Sequence, residues 1–161
     1  KMRSKIPGLA LRTSIIVGFP GEDEKDFNEL SEFIKEIKFD RLGVFPFSQE
    51  KGTPADKMKG QIDEKTKKQR ADTLMRIQAK VSFKKNKELI GKTIPAIIEQ
   101  KKNNDYIGRT NRDAPDIDGK VFIKSKNKLA LGDIVNIEII KARTYDLEGV
   151  LLNHVKNIRC F

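Results

Sequence analysis

The hydrophobic period changes partway along this chain. "LALRTSIIVGF" (residues 9–19) contains the apolar run Ile15-Ile16-Val17, ended by "GFPGE". Such a short run predicts a strand buried on both faces, as in a parallel α/β sheet. "DEKDFNELSEFIKEIKF" then sets Phe27, Leu30, Phe33, Ile34 and Ile37 on one face of a helix. Asp23 is its expected N-cap, and Glu24 and Asp26 suit the positive end of the helix dipole. "RLGVFPF" (41–47) reads as a second short strand. The order strand, helix, strand predicts a βαβ unit with a right-handed crossover.

Residues 48–61 are a loop by composition, and Asp63 is placed to cap a long helix near 64–88. The first two turns of that helix are almost wholly polar. Leu74, Ile77, Gln78 and Val81 supply a stripe only later, so the helix is expected to be half solvated and to join two units. From Leu89 onward five short β-type segments follow: "KTIPAIIEQ", "YIGRT", "KVFIKS", "DIVNIEIIKA" and "DLEGVLLNHV". Gly, Asn and Asp separate them, which predicts a small antiparallel barrel or sandwich of OB-like size. The expected fold class is therefore α/β plus all-β, with one unit over 1–88 and a second over 89–161.

Charge narrows the partners. The 161 residues include 33 Lys and Arg against 23 Asp and Glu, for a formal net charge of +10. This balance favours nucleic acid, the ribosome or a membrane surface, and equally describes a lysine-rich solubilising surface. The single cysteine, Cys160, allows no intrachain disulfide and fits a reducing, cytoplasmic compartment. No apolar run approaches the roughly 20 residues that span a bilayer. "KMRSKIPG" starts on lysine and has no apolar signal core, so the chain is expected to begin inside a longer protein.

One histidine, His154, and one cysteine cannot build a zinc site or a nucleophilic triad, so no metal ligand and no catalytic residue is expected. His154 reads as structural or exposed, Cys160 as a free thiol. Two stretches remain. "SIIVGFPGE" ends a strand where α/β barrels bind ligands, and Gly18 would let a ligand approach the backbone. The same residues also describe an ordinary strand-to-helix turn. "DYIGRTNRDAPDIDGK" (105–120) carries Arg109, Arg112, Asp113, Asp116 and Asp118 between two strands. It reads either as a tight loop built by Asx-turns, with Gly119 permitting a positive φ, or as an acidic spot for a cationic partner.

"LRTSIIVGFPGEDEKDF" (11–27) with "FDRLGVFPFSQEKGTPADKM" (39–58) resembles the last part of the radical-SAM, TIM-like α/β barrel of methylthiotransferases. The run from "LIGKTIPAIIE" resembles their C-terminal TRAM domain, a five-stranded OB-like barrel. "YIGRTNRDAPDIDGKVFI" (106–123) and "YDLEG" (145–149) are similar to the branch that modifies a ribosomal protein, the RimO type. That branch carries a GRT-x-x-DAP-E/D-x-DG pattern. The tRNA-modifying MiaB type shares only GRT and is the alternative, as is a stand-alone, non-catalytic RNA- or protein-binding module.

The resemblance implies methylthiolation of the β-carbon of an aspartate in a basic small-subunit ribosomal protein. It implies S-adenosylmethionine and two 4Fe-4S clusters in the full-length enzyme. This chain lacks the cluster cysteines, so none of these cofactors is expected bound to it and it is expected to be inactive alone. Arg12, Thr13, Gly18 and Phe45 are the implied S-adenosylmethionine contacts, with Arg12 pairing with the ligand's carboxylate. Arg109, Arg112, Asp113, Asp116 and Asp118 are the implied substrate contacts. A ribosomal RNA contact, no membrane partner and a monomeric full-length enzyme complete the expectation. Net charge does not single out the barrel, since residues 86–161 hold 14 basic against 10 acidic residues.

Overall fold

The computed structural model of the chain describes residues 2–103 and 105–153. It divides into two compact units, Lys1–Val81 and Ser82–Phe161. The division falls inside the long helix rather than at its end, because the last turns of that helix are bonded within the second unit.

The first unit runs α1 (Met2–Lys5), β1 (Arg12–Val17), α2 (Glu24–Ile37), β2 (Arg41–Pro46), a 3-10 turn (Pro54–Lys57) and α3 (Glu64–Lys87), which continues into the second. β1 and β2 pair in parallel, from Arg12 opposite Arg41 to Val17 opposite Pro46. The βαβ order read from the sequence is thus present. α2 starts on a reciprocal capping box between Asp23 and Asp26 and stops at Lys38, whose φ is 53°. Arg3 donates to the terminal carbonyls of Ile37 and Lys38 and pairs with the buried Asp40 carboxylate at 2.9 Å.

Val17, Ile34, Leu42, Ala71 and Leu74 form the core, with Ile15, Phe27, Leu30 and Ile77 packed on it. Each fully buried aliphatic side chain contributes about 1.5–3 kcal/mol. Two expectations are corrected. β1 is covered on one face only: Arg12, Ser14 and Ile16 are exposed while Val17 is buried, because helices cover one side of this sheet. The polar first turns of α3 are not simply solvated either, since Lys67 and Arg70 are both buried.

The second unit is a closed barrel of β3 (Thr93–Lys102), β4 (Asp105–Thr110), β5 (Val121–Lys124), β6 (Ile134–Ala142) and β7 (Leu147–Asn153). The strand order is β3-β4-β5-β7-β6. The barrel is not wholly antiparallel, as the sequence reading had it: β5 and β7 pair in parallel, Val121 opposite Leu147. Closing five strands in this order requires that pair, and closure removes free sheet edges. Val135, Ile137 and Ile139 of β6 point inward with Ile98, Val121, Ile123 and Leu147, while Ile134 and Ile140 face out. Asn86 of α3 is buried and donates to the carbonyls of Arg143 and Thr144 at 3.1 and 3.2 Å. Among the described residues, no helix is long and apolar enough to cross a membrane. His154 and Cys160 lie outside the described residues.

Candidate functional site

The end of β1 is built from below. Gly18 takes φ +74°, and its N–H donates to the Glu22 carboxylate at 2.9 Å. A β-carbon on Gly18 would stand 2.4 Å from Cγ of Lys67, so the stem of Lys67 fills the space that a side chain there would need. The close approach allowed by Gly18 is therefore taken by the protein's own lysine rather than left open. The Lys67 ammonium pairs with Glu64 at 2.7 Å and lies 5.3 Å from the Phe47 ring, which meets Phe19 edge-on.

One turn on, Arg70 bridges Glu22 at 2.7 Å and Glu24 at 2.8 Å, and also donates to the Glu22 carbonyl. Burial pulls the Arg70 pKa down, but the bonds to Glu24 and Glu22 outweigh it and hold the guanidinium above its ordinary value. The polarity of this stretch concealed both residues. Their spacing is the signal that could have found them: positions 67, 70, 71, 74 and 78 share one helix face and are all buried.

The four expected cofactor contacts separate. Ser14 stands opposite Gly43 and Ile16 opposite Phe45, so these residues and Arg12 share the exposed face of the sheet. The Phe45 ring folds back over Gly43, 3.1 Å from where a β-carbon there would be. Thr13 alternates with the core residues Ile15 and Val17 on the opposite face. Gly18 lies buried beneath Lys67. Arg12 and Phe45 are brought to one surface; Thr13 and Gly18 are not.

The loop after β4 uses most of its charge on itself. Asp113 is buried, and its carboxylate accepts from the Thr110 hydroxyl at 2.6 Å and the Thr110 N–H at 3.3 Å. Asp118 accepts from the Ala114 N–H at 2.7 Å. Arg109 pairs with Glu99 at 2.6 Å and donates to the carbonyl of Asp113, while Arg112 is half-buried. The positive φ that Gly119 would permit is taken instead by Asp116, at 60°. Glycine is required at 119 for a different reason, because a β-carbon would fall 1.9 Å from the Tyr145 carbonyl oxygen. Of the three aspartates, only Asp116 stands exposed, next to Ile117, which is 75% exposed.

Among the described residues, no group of three or more His, Cys, Asp or Glu could hold a metal ion. One cysteine in the whole chain does not fit a thiolate-bound 4Fe-4S cluster. Arg12, Ile16 and Phe45 share one exposed face of the sheet, a basic residue at one end of the strand pair and an apolar and an aromatic residue at the other, the residue types that a ligand with a carboxylate and a heteroaromatic ring calls for.

Comparison with known proteins agrees with the resemblance read from the sequence. Residues 90–152 match the family model of the TRAM domain. The chain is 50% identical over 155 residues to "Ribosomal protein uS12 methylthiotransferase RimO" of Carboxydothermus hydrogenoformans, covering 95% of this chain and 35% of that relative. It is 51% identical over 152 residues to the protein of the same name from Clostridioides difficile, covering 94% and 34%. The corresponding Pelobacter propionicus protein is 50% identical over 152 residues, covering 92% and 34%. The chain thus spans about a third of the length of the curated relatives it matches.

Proposed function

We propose that the chain is the C-terminal part of a cytoplasmic RimO-type methylthiotransferase that acts on ribosomal protein uS12. The observation that carries this reading is half identity across nearly the whole chain to relatives of that name. The βαβ unit and α3 would then close a radical-SAM barrel whose remaining strands lie outside this chain. The second unit would be its substrate-recognition barrel.

In this reading the exposed sheet face receives S-adenosylmethionine, which supplies the transferred methyl group. Arg12 would donate to its carboxylate, and Phe45 and Ile16 would cover its adenine. Thr13 and Gly18 would act from the covered side, holding the strand and its turn in place. The clusters that the family uses would be held by residues outside this chain.

The loop at 109–119 would present Asp116 and Ile117 to the substrate, with Asp113, Asp118, Arg109 and Arg112 setting its shape. A rigid loop loses little conformational freedom on binding, which favours affinity from few contacts. Ribosomal RNA next to the protein substrate would be a second partner of the barrel.

The test is methylthiolation of purified uS12 by the full-length enzyme, followed by mass spectrometry of the modified aspartate. Modification of uS12 is expected, and Arg12→Ala should raise the S-adenosylmethionine concentration needed for half-maximal rate. Transfer to an isopentenyl-adenosine tRNA, with none to uS12, would overturn the reading in favour of the tRNA-modifying branch.

A further inference from the structure

Four of the five residues of "YDLEG" (145–149) are taken up by the barrel itself. The Asp146 carboxylate accepts from the Lys120 N–H at 2.9 Å, and the Leu147 N–H donates to the Lys120 carbonyl at 2.9 Å. Leu147 lies in the core. Glu148 pairs with Arg143 at 2.6 Å, and a β-carbon on Gly149 would stand 2.9 Å from the Glu138 carbonyl oxygen. Tyr145 is the exception. It is 41% exposed, whereas the second tyrosine of the chain, Tyr106, is 3% exposed.

The turn that carries Tyr145 is fixed from several sides. The Arg143 N–H donates to the Asp146 carbonyl at 2.8 Å and closes the turn. Asn86 holds the carbonyls of Arg143 and Thr144. Gly119 lies against the Tyr145 carbonyl oxygen, with no room for a β-carbon between them. Three residues of chain reach at most about 11 Å, so Asp116 and Ile117 stand at the same end of the barrel as Tyr145. Two turns in backbone contact thus expose a carboxylate, an aliphatic side chain and an aromatic residue. Tyrosine offers a large, rigid contact surface at small cost in conformational freedom, which concentrates it at binding hot spots. The face of its ring is electronegative and attracts a cation. A neighbouring carboxylate favours the same charge, and apolar surface suits the stem of a Lys or Arg side chain.

We propose that Tyr145 is a specificity-determining residue that receives a basic side chain of uS12 across its ring and forms one recognition surface with Asp116 and Ile117. Taking uS12 as the partner rests on the function proposed above. Tyr145 adds a second turn to that surface and fixes the chemical class of the group received there.

The experiment uses the full-length protein and purified uS12, with affinity read by calorimetry. Tyr145→Phe keeps the ring and should bind within about threefold of the parent. Tyr145→Leu keeps apolar area but loses the ring face, and should bind about five- to tenfold more weakly. Lys120→Gln removes the exposed cation at the junction of the two turns, and should bind as tightly as the parent or more tightly. Leu131→Ser, in the connection between β5 and β6, serves as the exposed apolar control and should bind within about threefold of the parent. A footprint reads the contact without any variant. Tetranitromethane should nitrate Tyr145 in the free protein, and bound uS12 should protect it by burying the ring. Buried Tyr106 should stay unmodified in both states.

Parent-like binding by Tyr145→Leu would overturn the proposal, as would nitration of Tyr145 that bound uS12 leaves unchanged. Weakening by about tenfold or more in Lys120→Gln would do the same, because it would mark the group received there as acidic. So would Leu131→Ser weakening binding as much as Tyr145→Leu. Where a substitution lowers the melting temperature, the footprint on the parent decides. A parent that does not bind uS12 would bring down the uS12 reading too, whereas uS12 binding that is indifferent to Tyr145 leaves that reading standing.

Discussion

Lys67 occupies the volume that any side chain at Gly18 would require, with Cγ 2.4 Å from the position of the missing β-carbon. The backbone of Gly18 also sits at positive φ, so an L-residue there meets two penalties together. Gly18→Ala should destabilise the protein by about 2–4 kcal/mol, combining backbone strain with overpacking. Chemical denaturation followed by circular dichroism measures it. Gly18→Ala/Lys67→Ala should recover part of the loss, because it clears the overlap but not the strain. A single variant as stable as the parent would show that the contact is not made.

Arg70 and Glu22 are a buried pair joined over 48 residues of sequence, with side chains 7% and 13% exposed. Removing one partner strands the other. Glu22→Gln also weakens the acceptor of the Gly18 N–H. Arg70→Met alone should cost about 3 kcal/mol. Arg70→Met/Glu22→Leu should cost clearly less than the sum of its single changes, and a double-mutant cycle by denaturant titration checks the coupling. Glu24, largely exposed, should matter little: Glu24→Gln is expected within about 0.5 kcal/mol of the parent.

Within the loop after β4, Asp113 and Asp116 should respond oppositely to substitution. Asp113→Ala removes a buried carboxylate bonded to the Thr110 hydroxyl and N–H, and should cost about 1.5–3 kcal/mol in thermal unfolding. Asp116→Asn and Ile117→Ser should leave stability within about 0.5 kcal/mol. Their effect should appear in affinity for uS12 measured by calorimetry, with Ile117→Ser the larger. Unchanged uS12 affinity in both would remove this loop tip from the interface.

Acid should weaken the barrel through Glu148. The hydrogen bond from Arg143 holds the Glu148 carboxyl below its ordinary value of 4.5, with Lys141 adding to the field. A depressed carboxylate stabilises the fold fully above its unfolded pKa, and the contribution disappears as pH falls through the lower folded value. Relative to the parent, Glu148→Gln should therefore be less stable above about pH 4.5, with the gap closing as pH drops further. Melting temperatures across that range measure the gap; a constant difference would show that Glu148 is not linked to folding.

Local order was legible in the sequence because neighbouring residues encode it. Asp23 and Asp63 act as helix caps where their positions predicted, the first with Asp26 and the second accepting from the Thr66 N–H at 2.9 Å. The apolar alternation within "DIVNIEIIKA" is consistent with the inward set Val135, Ile137 and Ile139 seen in β6, since a strand turns every second side chain to one face. The five strand segments and the βαβ order were readable for the same reason.

Tertiary structure alone decided which charges are spent inside the fold. Lys67 and Arg70 look like a solvated helix face until β1 and the Glu22 turn pack against them. Asp113 and Asp118 look like an acidic surface until the loop closes on Thr110 and Ala114. The parallel β5–β7 pair belongs to the same category, because its register depends on strands that lie far apart in sequence. Composition determined that this protein is basic, and the order of hydrophobic and polar positions that it holds a βαβ segment and a set of short barrel strands. Which ionic groups remain available to a partner depends on contacts across the fold, because burial is a property of neighbours in space and not of neighbours in the chain.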